Sequence, residues 1–246
     1  MLNQKIDKIL FLDIETVPQT AELNQLPYEL QKLWEEKFEA QRRRMPDRYP
    51  ADANAENSYT KDAGIYAEFG RIVCISVGYI YSNNGERSMR IKSFASDNEA
   101  QLLRDFATLL NKMITTEHNL CGHNIKEFDI PYIARRMLIN AIDLPDILNI
   151  SAKKPWEVRF IDTLELWRFG DYKNYTSLKL LTAVFGIPTP KDDIDGSQVA
   201  GVYYKEKNLK RIATYCEKDV LATCQLYLRL SGLPLLEEKN IEIIQR

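Results

Sequence analysis

The stretch Lys8-Ile9-Leu10-Phe11-Leu12-Asp13-Ile14-Glu15-Thr16 decides how this chain is read. Its apolar side chains fall on both alternating sides, which predicts a strand covered on both faces and central in a sheet. Pro18 is expected to end it. Asp13 and Glu15 lie two apart, so both project from the face that Ile9 and Phe11 begin. Carboxylates so close raise each other's pKa unless a cation sits between them. Hard divalent cations such as Mg²⁺ or Mn²⁺ favour carboxylate oxygens and water. A strand end reaching solvent accounts for the pair equally well.

Working outward, Thr20 to Arg44 has helical periodicity, with Leu23, Leu26, Leu30, Leu33 and Phe38 near one face. Met45 to Gly64 is polar and carries Pro46 and Pro50, which predicts a long surface loop. Arg71 to Tyr81 and Arg87 to Ala95 are strands joined by a hairpin turn at Asn84-Gly85. Ser96 and Glu99 fit a capping box, followed by an amphipathic helix to about Thr116. Asn119 to His123 and Arg159 to Asp162 read as short strands. Helices are expected over Lys126–Asn140, with Pro131 in the first turn, over Ser177–Phe185 and over Leu209–Leu230. A short amphipathic tail follows. The order predicts an α/β domain on a mixed five-stranded sheet, its first three strands an antiparallel meander flanked by helices.

The 246 residues are 45% hydrophobic and 28% charged, which excludes disorder as the main state. Basic and acidic residues number 33 and 35, a net charge of −2. No whole-molecule field would hold this protein on a polynucleotide or a lipid surface, so any such contact is local. Cys74, Cys121, Cys216 and Cys224 lack zinc-finger spacing and read as buried free thiols of a reducing cytosol. The first apolar run stops at Asp13, too short for a signal peptide or a membrane span, so a cytoplasmic protein is expected.

Two further acidic positions stand out. Asp129 ends Asn124-Ile125-Lys126-Glu127-Phe128-Asp129, where a helix cap is the ordinary explanation. Tyr215 and Asp219 are four apart on the last long helix and share a face, a common surface pattern. His118 and His123 do not make a zinc site without a Cys/His cluster. Asp162, before Thr163, reads as a strand-end or helix-cap residue. Arg42–Arg44, Arg135-Arg136 and Lys153-Lys154 read as solvated faces, with a phosphate contact as the alternative.

Taken in order, Asp13-Ile14-Glu15-Thr16, Asn124 to Tyr132 (NIKEFDIPY) and Tyr215-Cys216-Glu217-Lys218-Asp219-Val220 resemble the three motifs of the DEDDy 3′–5′ exonucleases. The wording of the second and third is most similar to the exonuclease domain of family-B DNA polymerases. The resemblance spans Lys8 to about Leu230. The histidine subgroup carries its base where this chain has Thr214, which favours the tyrosine subgroup.

The resemblance implies a ribonuclease H-like fold and two-metal hydrolysis with Mg²⁺ or Mn²⁺. By the same resemblance, Asp13, Glu15 and Asp219 hold one ion and Asp129 supports a second that Asp13 bridges. Tyr215 orients the attacking water, and Thr16, Asn124 and Phe128 line the terminal nucleotide. The implied partner is the 3′ end of single-stranded DNA. An RNA substrate of the ribonuclease D kind, or a non-catalytic end-binding or protein-binding module, are the alternatives. The expectation is a single exonuclease domain over 1–246, inserted at about 19–70 by a helix and loop of unassigned role. No palm or fingers segment precedes Arg246, so a stand-alone nuclease is expected, with no membrane contact and with any partner polymerase or DNA-repair protein undefined.

Overall fold

The structure is a computed structural model and describes residues 5–50, 52–83, 85–188 and 194–244. Strand β1 (Ile9–Pro18) is central in the sheet, as its apolar run predicts. It pairs antiparallel with β2 (Gly70–Asn83), which pairs antiparallel with β3 (Glu86–Ala95). Of the two expected turn residues, Asn84 lies outside the described residues. Gly85 has φ 83°, the left-handed conformation of a primed hairpin turn. On the other side of β1 run the parallel strands β4 (Asn119–Gly122) and β5 (Phe160–Asp162).

Helices α1 (Tyr28–Arg44), α2 (Ala55–Asp62), α3 (Glu99–Met113), α4 (Asp129–Ile139), α5 (Thr163–Arg168), α6 (Leu178–Val184), α7 (Val199–Tyr204) and α8 (Leu209–Leu230) follow in chain order, and both faces of the sheet are covered. Leu10, Leu12 and Ile14 pack with residues of α3 (Glu99–Met113) and α4 (Asp129–Ile139), among them Leu103, Phe106 and Ile133. Ile9 and Phe11 meet Val220, Cys224 and Tyr227 of α8 (Leu209–Leu230) on the opposite face. Each such buried side chain contributes roughly 1.5–3 kcal/mol. Asp13 and Glu15 therefore continue the face that α8 covers.

Several expectations are corrected. Among the described residues the sheet has six strands, because Ile241–Ile243 of the tail forms a sixth that pairs in parallel with Met89–Ile91 of β3. The first helix is shorter than its periodicity suggests: Leu23–Gln25 is a 3₁₀ turn and the α-helix runs from Tyr28 to Arg44. Pro27 stands just before that helix, where its fixed φ suits the entry. The polar stretch after it holds a second helix, Ala55–Asp62, whose Asn54 cap accepts the Asn57 amide.

Segment 19–70 has its own small core. Trp34 is fully buried and meets Phe69 at 5.0 Å, Tyr59 at 5.5 Å and Tyr66 at 6.0 Å, all edge-on. Two further short helices, Thr163–Arg168 and Val199–Tyr204, escape the sequence reading.

The capping box before α3 does not form. Asn98 caps the helix instead. Glu99 turns inward, where it accepts the Ile72 amide and takes Arg136 in a bidentate pair at 2.9 and 2.5 Å.

Candidate active site

Strand β4 pairs β1 only from Ile9 to Phe11, so the edge of β1 is open beside Asp13 and Glu15. Asp129, at the start of α4, comes to that edge and its carboxylate accepts the Ile14 amide. From the α8 side come Tyr215 and Asp219, one helical turn apart and hydrogen-bonded to each other. The ordered motifs thus converge, and each acid senses the others. Burial raises the Asp13 carboxyl well above its usual range, with added repulsion from Asp219, Asp129 and Glu15. Burial raises Glu15 likewise, with Asp219, Cys74 and Asp129 adding to it. Asp129 is pushed up to about 7, first by burial and then by Asp162 and Asp219, against amide hydrogen bonds that lower it. Burial, followed by Asp219, Glu15 and Asp13, pushes the Tyr215 hydroxyl far above its ordinary value, so it stays protonated.

Asp13, Tyr215 and Asp219 open onto a cleft of about 380 Å³, with His123, Tyr175 and Lys179 on its other walls. Four carboxylates held this close in a desolvated site are a costly arrangement that divalent cations relieve, and their donors are the oxygens that hard ions prefer. The residues present fit such ions.

Cys216 is a contact that the sequence reading did not anticipate. Its thiol donates to the Asp13 carbonyl and to Asp13 Oδ2, each at 3.3 Å. The ligand atoms of Asp13, Glu15 and Cys216 all lie within 4.8 Å of one another. Its place beside Tyr215 in the third motif was the available signal.

Thr16 follows the acids where the β1–β2 register shifts, and it hydrogen-bonds the Tyr132 hydroxyl. Asn124 adopts φ 62°, and its amide donates to Asp162 at 2.9 Å. Phe128 is half-buried, its ring 5.4 Å from that of Tyr132. Asp162 takes the cap role expected of it, accepting from Leu164, Asn124 and Lys126. His123 is held by the Thr163 hydroxyl and the Thr176 carbonyl, both at 2.9 Å, which turns it to the cleft wall. The arginine triplet ends the Tyr28–Arg44 helix in solvent, and Trp34 serves packing in segment 19–70.

The six-stranded mixed sheet with a leading meander, helices on both faces and carboxylates at the open edge of its central strand is consistent with a ribonuclease H-like fold. Residues 65–239 match the family described as a predicted 3′–5′ exonuclease related to the exonuclease domain of PolB, and the chain belongs to that family. The family B DNA polymerase from the hyperthermophilic archaeon Pyrobaculum calidifontis has a similar structure. The TM-score is 0.56 at 14% identity, over 91% of this chain and 24% of that one, a likeness of fold. The chain spans about a quarter of that polymerase's length. No curated protein matches the chain. Among the described residues, no helix is long and apolar enough to cross a membrane.

Proposed function

We propose that this chain removes nucleotides from the 3′ end of single-stranded DNA by divalent-metal-dependent hydrolysis. It would act as one exonuclease domain into which segment 19–70 is inserted. The observation that carries the reading is the convergence of Asp13, Glu15, Asp129 and Asp219 with Tyr215 beside one cleft. Asp13, Glu15 and Asp219 would hold one ion, and Asp13 with Asp129 a second. Bound divalent ions supply positive charge against the phosphodiester anion and ease deprotonation of the attacking water.

The protein's own groups do the positioning. The Cys216 thiol fixes the Asp13 carboxylate, and the Ile14 amide fixes that of Asp129. Tyr215 is no free base, since its proton is held far above neutral pH. Its hydroxyl orients the attacking water from beside Asp219. Thr16, Asn124 and Phe128 would meet the terminal nucleotide.

The test is a 5′-labelled single strand incubated with Mn²⁺ or Mg²⁺. A ladder of shortened products is expected from the wild type and none from Asp13→Ala. A wild type that leaves the strand intact, or an equally active variant, ends the proposal. The same assay on a matched RNA sets the sugar preference, with DNA expected to be the faster substrate.

A further inference from the structure

The segment from Arg168 to Lys179 borders the cleft through Tyr175 and Lys179, and its exposed rings have no part in the chemistry proposed above. Within it, Phe169 is 91% exposed, Tyr172 75% and Tyr175 64%. Large aromatic side chains gathered on a surface mark a contact site more often than chance exposure. Two exposed cations, Lys173 and Lys179, stand among them with one carboxylate, Asp171, while the largely buried Arg168 is paired with Glu127 at 3.7 Å.

The segment is tied to the scaffold where the Thr176 carbonyl holds His123 at 2.9 Å and Arg168 Nη1 lies 3.7 Å from Glu127 Oε1. The Asp171 amide returns to the Arg168 carbonyl at 2.8 Å, and Asp171 Oδ1 accepts the Lys173 amide at 3.0 Å. The Arg168 guanidinium lies 5.8 Å from the Tyr172 ring, while its Nε is buried without a hydrogen-bond partner. Phe169 takes φ 45°, a left-handed conformation that costs a non-glycine residue stability and throws its ring outward. At the far end, Tyr175 lines the cleft with Asp13 and stands 6.3 Å from the His123 ring.

We propose that Phe169, Tyr172 and Tyr175 form a stacking platform for the bases of the single strand whose 3′ end enters the cleft, with Lys173 and Lys179 meeting its phosphates. The inference rests on the exonuclease reading and adds the surface that grips the strand. Aromatic faces interleaved with cations recognise unpaired nucleotides of any sequence, because every base offers a π-face. Tyr175 and Lys179 join the platform to the wall of the cleft that holds Asp13 and Asp219.

The test is fluorescence anisotropy of a 5′-labelled oligothymidylate in Ca²⁺, repeated with an abasic strand of the same length. Phe169→Ala and Tyr172→Ala are each expected to weaken binding at least about fivefold, and Phe169→Trp to restore it. Trp156→Ala removes a ring 77% exposed on the approach to β5, away from the cleft, and is expected to change binding less than twofold. The abasic strand should bind the wild type as weakly as the intact strand binds the alanine variants. Alanine variants within twofold of wild type, a wild type that holds both strands equally, or one that binds neither overturn the platform. Strand binding that follows the expected pattern without any cleavage in Mn²⁺ would instead remove the exonuclease reading and leave the platform standing.

Discussion

Asp129→Asn is expected to stabilise the metal-free protein near pH 8. In the folded chain, burial first, then Asp162 and Asp219, move this carboxyl from its ordinary 3.8 up to about 7. Its folded pKa exceeds the unfolded one. Its contribution to stability is therefore fully present below pH 3.8 and lost as the pH rises through 7. By pH 8 the loss is on the order of 4 kcal/mol. Asparagine carries no charge and escapes that loss. It keeps one oxygen to accept an amide, and the weakened hydrogen bonding offsets about 1 kcal/mol of the gain. A net gain of about 3 kcal/mol raises the melting temperature by roughly 6–12 °C for a chain of this length. Scanning calorimetry in chelator at pH 4.5 and pH 8 measures it. The variant should melt well above wild type at pH 8, and the gap should shrink towards pH 4.5. Saturating Mn²⁺ should reverse the order at pH 8, because only the wild type keeps the full set of acids for the ions. Equal melting temperatures in chelator at pH 8, or a gap that ignores pH, would refute the reasoning.

Tyr215→Phe is expected to lower the turnover number by about 10²-fold while calorimetric Mn²⁺ affinity moves less than threefold; a matching loss of affinity would mean the hydroxyl serves the ions instead. Arg136→Ala strands the buried Glu99 carboxylate and should cost about 3–5 kcal/mol in urea denaturation, and a cost below 1 kcal/mol would show that the pair is not what holds Glu99. Gly70→Ala would drive a methyl into the Tyr132 hydroxyl and place it 2.9 and 3.0 Å from the Gly64 and Val17 carbonyl oxygens. Two of those neighbours are backbone, so a destabilisation of about 1–3 kcal/mol is expected by the same denaturation, and an unchanged midpoint would contradict the packing.

The parts legible in the sequence were those governed by local pattern. The apolar run of Ile9–Leu12, the turn glycine of the β2–β3 hairpin and the Leu209–Leu230 periodicity each act through near neighbours. What escaped depends on distant partners. The Ala55–Asp62 helix has few apolar residues, and its place is set by Tyr59 reaching Trp34 and Thr20. Glu99 looked like a cap residue because its partner Arg136 lies 37 positions away. The sixth strand is three residues long and gains its identity only from the edge of β3. In the candidate site, no single acid announced itself, since strand ends and helix caps carry the same residues for ordinary reasons. Their order along the chain was the informative signal. The interleaved rings and cations from Arg168 to Lys179 were equally visible, but nothing in one dimension placed them at the cleft.

The helix that presents Asp129 is stitched to segment 19–70 twice: the Tyr132 hydroxyl donates to the Gly64 carbonyl at 2.8 Å, and Arg136 Nη1 to that of Ala67, also at 2.8 Å. Anyone wishing to miniaturise this protein therefore cannot excise 19–70 as an ornament. The deletion would strip one backbone acceptor each from a buried phenol and a buried guanidinium, one and two turns behind the Asp129 carboxylate. Shortening is affordable around the exposed Pro50 and Asp52, whereas residues 63–69 behave as a keystone shared by the appendage and the catalytic scaffold.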